Sequence, residues 1–180
     1  MSATVDQAPH PSMWRNLYIG LVKTLITLVI LLPALYFARE NFTLGFEMQK
    51  GAHSVPHTVF LIHKQSYPFR ADQYIAFETK GLVDPFVDGL TMIKIVAGVP
   101  GDTVRVTPEA VFVNQAKVAD ITVDTIGEKT GNPVSVKTID TRIPPGHYFV
   151  LGTHPKSYDS RFWGLVKPDQ LIGRAYGLWK

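Results

Sequence analysis

The chain has no cysteine, which removes disulfides, thiolate-ligated zinc and a thiol nucleophile together. That absence selects no compartment, because a disulfide-free domain can live on either side of a membrane. Charge is scarce too: charged residues make up 18% of the 180, and the net charge is +3. No Lys/Arg cluster tracks a series of aromatics, so no nucleic-acid partner is expected. Also missing is H-E-x-x-H, and no carboxylate stands at ligand spacing from the histidines His10, His53, His57, His63, His147 and His154. No metal and no cofactor are expected. The serine of "GAHSVPHTVFLI" (Gly51–Ile62) lies between two histidines, but it is not the G-x-S-x-G of a hydrolase elbow. A histidine base reaches its serine through the fold, so the adjacency of His53 and Ser54 carries no meaning.

Apolar residues are plentiful at 46%. They concentrate first in "LYIGLVKTLITLVILLPALYFA", Leu17–Ala38, whose one charge is Lys23. That length matches the roughly 20 residues needed to cross hydrocarbon as a helix. Lys23 lies near the start, where its stem can carry the ammonium back to the headgroups. Trp14 and Tyr18 flank one end, and Tyr36, Phe37 and Phe42 the other, as interfacial belts do. No A-x-A-like site follows, and no polar stripe appears after Lys23. An uncleaved transmembrane anchor over 17–38 is expected, between a tail (1–16) and a second region (39–180). Arg15 and Lys23 before the core and Arg39 and Lys50 after it leave the orientation nearly tied.

Beyond residue 50 the pattern becomes that of short strands. "TVFLIH" (58–63), "YIAFET" (74–79) and "TMIKIVAGV" (91–99) are rich in β-branched and aromatic residues, and "TVRVT" (103–107) alternates. "AVFVNQAKV" reads as a hairpin turning at Asn114-Gln115, and "HYFVLG" and "LIGRAYGLW" close the chain. "VPGD" sets Pro100 and Gly101 as a type II turn would. Asp120–Arg142, polar and weakly periodic, reads as an excursion off the sheet. No repeat is present. The expected fold class is mainly β, a β-rich domain on one N-terminal helix.

Two segments beyond the serine carry chemistry. In "TMIKIVAGVPGD", Lys94 is a lone cation on a strand apolar on both faces. It is either an edge lysine that snorkels to water, or a desolvated amine whose lowered pKa lets it take a proton from a hydroxyl. In "GTHPKSYDSRFWG", Asp159 and Arg161 are either a surface ion pair or, with Ser157, groups that orient a lysine and brace a wall.

Taken in order, these segments resemble the type I signal peptidases, the membrane-anchored Ser/Lys proteases. "IKIVAGVPGDTV" (Ile93–Val104) is similar to that family's lysine box, "SYDSRFWGLV" (Ser157–Val166) to its last box, and "LIGRAYGLW" to the strand that follows. "SVPHTVFLI" resembles the serine box of the conjugative-transfer branch, which matures pilin subunits, with Val55 for its methionine and Thr58 for its glycine. Ile95 stands where many members carry arginine, and "GTHPKS" lacks an Asp-Asn pair often found there. Ala52 has no hydroxyl to offer an oxyanion.

The resemblance implies a signal-peptidase-like catalytic domain with Ser54 as nucleophile, Lys94 as general base, Ser157 holding the amine, and Asp159 and Arg161 bracing the loop. It implies a precursor bound to the lipid bilayer as partner, a pilin or a secreted preprotein, cut by hydrolysis or joined into a ring. It also implies an inner-membrane location with the catalytic domain on the periplasmic side. Fifteen residues lie between Ala38 and Ser54, capping their separation near 50 Å at about 3.3–3.6 Å per residue. Apolar strands near Ser54 offer an edge to which an extended substrate can add. The rival readings are a general signal peptidase and a non-catalytic β-domain of a transfer apparatus.

Overall fold

A computed structural model describes residues 11–46, 54–65, 67–82, 88–121, 135–155 and 157–179. The chain divides into two compact units, Met1–Glu40 and Asn41–Lys180.

The first unit is built on one helix, α1 (Pro11–Asn41), which contains the span read from sequence and extends past it at both ends. Proline suits its first position, where the missing N–H has no helical partner to lose. Two hydroxyls inside the apolar run bond their own backbone: Thr24 Oγ1 donates to Gly20 O (3.0 Å) and Thr27 Oγ1 to Lys23 O (2.9 Å). Polar groups satisfied within the helix do not penalise transfer into lipid. Over Ser12–Asn41 the mean hydropathy is 2.1 and none of the most apolar window is buried, so by length and composition the helix can cross a membrane.

The second unit carries ten strands among the described residues. A six-stranded antiparallel sheet has the order β1-β2-β10-β3-β4-β9, formed by Phe42–Phe46, Val59–Lys64, Leu171–Trp179, Tyr74–Glu78, Thr91–Gly98 and Phe149–Leu151. A four-stranded antiparallel sheet, β7-β6-β5-β8, is formed by Ala116–Asp120, Ala110–Val113, Thr103–Val106 and Ile139–Arg142. The C-terminal strand β10 is thus central, paired with β2 on one side and β3 on the other. One apolar cluster (Ile75, Phe77, Val96, Tyr148, Val150, Val166) fills one part of the large sheet, and another (Val55, Phe60, Ile62, Ala76, Ala175) fills a second. A third joins the small sheet to β9 through Val104, Val111, Ile143, Phe149 and Leu151.

Mainly β is the architecture observed. The turn at Pro100-Gly101 forms, with Gly101 at φ +96° and Asp102 N–H donating to Val99 O at 3.0 Å. Asn114 and Gln115 both take left-handed φ in the β6–β7 hairpin. Two strands were not anticipated. β1 follows the helix directly and pairs with β2 from Phe42↔His63 to Phe46↔Val59. β8 lies within the stretch expected to leave the sheet: residues 139–142 return as an edge strand on β5. Its polarity reflects exposure along that edge rather than the absence of a strand. Residues 122–134 of the same stretch lie outside the described residues.

Candidate active site

Burial picks out the site. Ser54 and Lys94 are each 3% exposed, Ser157 1%, Arg161 2% and Asp159 0%. Five polar or ionisable side chains removed from water need partners, since burying such groups unpaired costs several kcal/mol. Most of those partners are one another.

Lys94 sits in β4 opposite Ile75, so the strand drives its stem into the sheet's apolar interior rather than to a free edge. Its Nζ donates to Ser157 Oγ at 2.9 Å. Of the two sequence readings, the snorkelling edge lysine is therefore excluded. Ser54 is placed by its neighbours in the chain and in space. Val55, fully buried, packs with Phe60, Ile62, Ala76 and Ala175, and the Ser54 carbonyl accepts from Thr153 N–H (2.8 Å) and Thr153 Oγ1 (3.2 Å). The Ser54 carbonyl and Ser157 Oγ both lie within 2.9 Å of the point where a Gly152 Cβ would stand. Strand β4, the end of β9 and the Ser157 loop thus converge on one spot, and Gly152 is the residue that leaves room for it.

The loop is held by its ion pair. Arg161 Nε donates to Asp159 Oδ1 (2.8 Å) and Nη2 to Oδ2 (2.8 Å), a bidentate pairing with both groups buried. The reading as an exposed surface pair is excluded. Asp159 also caps the short helix α2 (Ser160–Trp163) by accepting from Arg161 N–H, and it accepts from Gly152 N–H at 2.8 Å. Arg161 reaches the Ser157 carbonyl (3.1 Å) and the Asp120 carbonyl (3.1 Å) with its remaining donors. Ser160 Oγ accepts from Val150 N–H at 3.0 Å. The outward N–H groups of β9 are in this way consumed by the loop, which closes that edge of the sheet.

Three of the described histidines have contacts of their own. His57 precedes β2 and packs edge-on against Phe60 (5.7 Å) and Tyr74 (5.8 Å); burial holds the Tyr74 phenol above its ordinary value of 10.0. His63 stacks on Phe42, and half-buried His147 lies 3.1 Å from the Pro145 carbonyl. Ala52 and His53 fall outside the described residues. No group of three or more metal-capable side chains occurs among the described residues. Gly152 and Thr153 were not singled out from sequence. A glycine closing "YFVLG" was the available signal, because a residue without Cβ at a strand end marks close approach of another segment.

The family model described as "Signal peptidase, peptidase S26" matches residues 19–179. A "Probable signal peptidase I-2" of Synechocystis sp. is 29% identical over 174 residues, which cover 90% of this chain and 73% of that protein. A "Signal peptidase I" of Bacillus caldolyticus is 32% identical over 128 residues, covering 65% of this chain and 66% of that protein, just under two thirds. A crystal structure of a signal peptidase I from Enterococcus faecalis, at 25% identity and a TM-score of 0.39, covers 60% of this chain and 97% of that one.

Proposed function

The chain belongs to the signal peptidase S26 family, and from that membership we propose that it is a membrane-anchored serine endopeptidase working through a Ser54/Lys94 dyad. The observation that carries this reading is the buried Lys94 amine bonded to Ser157 beside the backbone of Ser54. Desolvation disfavours the ammonium form, so the amine can serve as a base. In the proposed cycle Lys94 Nζ takes the Ser54 Oγ proton as Oγ attacks the scissile carbonyl, and the Ser54 N–H stabilises the oxyanion. The protonated amine then returns that proton to the leaving amine. A second nucleophile, water for hydrolysis, resolves the acyl-enzyme. Ser157, Asp159 and Arg161 act through Lys94 and the loop, as positioning residues.

The substrate in this reading is a precursor tethered in the same bilayer as α1, in the inner membrane, with the catalytic unit on the periplasmic side. Tethering raises the local concentration of the cut site without any added contact. The form of the serine segment supports a pilin subunit of a conjugative system, while the names of the relatives support general export precursors. A panel of secretory precursors beside a pilin precursor decides between them. Preference for the pilin is expected, and rapid cutting of many unrelated precursors removes the specialisation. A cyclic product, one water lighter than the linear one by mass, would identify an amine as the second nucleophile.

Two further results are expected. The rate should climb with pH as Lys94 loses its proton, because the unprotonated amine is the active form. A rate that stays flat as the pH rises would remove Lys94 as the base. Gly152→Ala places a methyl group against Ser157 Oγ and the Ser54 carbonyl, one of them rigid backbone. Since a misplacement of about 1 Å can cost roughly 100-fold, kcat should fall by about that factor while the circular dichroism spectrum is retained. Near-normal kcat would mean that the two segments can part without harm to the reaction.

A further inference from the structure

An open cleft of about 480 Å³ lies between β4, the end of β9 and β7. Its floor is apolar: Ile95 and its register partner Leu151, with Ala97, Val118 and Ala119. Among the described residues its charged lining is mostly acidic. Asp72, held at φ +64° with its N–H on the Val96 carbonyl, is exposed, and its carboxylate has no partner among the described residues. Among the described residues the Asp120 carboxylate pairs with Lys117 on the open surface, where such a pair contributes little. Arg161 also lines the cleft, but its charge is neutralised by the bidentate bond to Asp159.

We propose that this cleft is a specificity subsite for one lysine or arginine side chain of the substrate, flanking the cut. The proposal rests on the protease reading and deepens it. An aliphatic stem covers the floor and the charged head reaches the Asp72 and Asp120 carboxylates, the division of labour that long basic side chains adopt. A glutamate would meet like charge, and a norleucine would leave the Asp72 carboxylate unanswered. Position follows from Thr153, which lines the cleft and also holds the Ser54 carbonyl.

The experiment uses the full chain in detergent micelles, with Ser54→Ala to prevent turnover. Fluorescent peptides spanning a small-residue cut site carry lysine, norleucine or glutamate in turn at each of three positions on either side, and anisotropy reports affinity. At one position lysine should bind at least tenfold tighter than norleucine, with glutamate weakest. Asp72→Asn combined with Asp120→Asn should erase the preference, and Ala119→Lys, which supplies a resident cation, should do the same. Melting curves of these variants should match the parent. Equal binding of lysine and norleucine at every position, absence of binding included, overturns the proposal, as does a preference that survives the double Asn variant. Turnover of the same peptides by the unmodified enzyme is a separate readout: its absence counts against the protease reading, while the affinity series still decides the cleft.

Discussion

Lys94→Met should abolish processing, lowering the rate by at least about 10⁴-fold, as loss of a nucleophile's base does in comparable enzymes. Methionine is close to lysine in length and is content in apolar surroundings, so a side chain 3% exposed can be replaced without a cavity. The thermal midpoint should therefore stay level or rise, which separates loss of chemistry from loss of fold. Lys94→Arg is the sharper companion. It keeps the charge and much of the length, but a guanidinium is not deprotonated in proteins, so it should be as inactive as methionine. Ser54→Ala should match both, and the Ser54→Ala/Lys94→Met double variant should be no worse than either single, because groups that act as one unit do not lose rate additively. Single-turnover cleavage of a membrane precursor measures all four. Retention of rate within tenfold in Lys94→Met, or measurable activity in Lys94→Arg, would move the base to another residue and remove the dyad.

The parts of this fold that were legible in sequence are those whose local chemistry leaves no alternative. Pro100 fixes one φ and Gly101 supplies a positive one, so β4 and β5 could be placed before any pairing was known. Lys94 stood out because a cation on a strand apolar on both faces demands an explanation. The strands missed were those whose strand character is tertiary. β1 reads on from the helix as more apolar chain, and only its register with β2 makes it a strand. Gly45 there has the Cδ1 atoms of Ile62 and Ile93 3.0 Å from where a Cβ would sit, a constraint written nowhere near it in the chain. β8 failed for the opposite reason, since an exposed edge strand carries no alternation to read.

The site divides in the same way. Ser157 and Lys94 are 63 residues apart, and no spacing rule joins them; only the resemblance did. Nor could sequence tell whether Asp159 and Arg161 faced solvent, because residues two apart at a helix start can pair equally well on the surface or in the interior. Burial decides their worth, and burial depends on β9 and the Asp120 end of β7 arriving from elsewhere.

That burial gives the pair its consequence for stability. Arg161→Ala leaves the Asp159 carboxylate, 0% exposed, without its cation. Removing one partner of a buried ion pair costs about 3–5 kcal/mol, mostly the penalty of stranding the other charge. Here the guanidinium also supplies hydrogen bonds to the Ser157 and Asp120 carbonyls, which would be left short. For a unit of this size the loss corresponds to a fall in melting temperature of roughly 10–15 °C. Asp159→Ala should cost as much, since it strands Arg161 and also orphans the Gly152 N–H. Because each single variant leaves a buried charge and the double variant leaves none, Asp159→Ala/Arg161→Ala should be no less stable than either single, a coupling of several kcal/mol in the cycle. Arg161→Lys keeps the charge but loses the fork, so it should retain much of the stability and lose rate, as the Ser157 loop relaxes away from Lys94. Melting curves for the three alanine variants and kcat at a temperature well below every midpoint separate the two effects. Additive losses in the cycle would mean that the pair is screened by solvent after all, and full activity in Arg161→Lys would mean that the loop positions Ser157 without it.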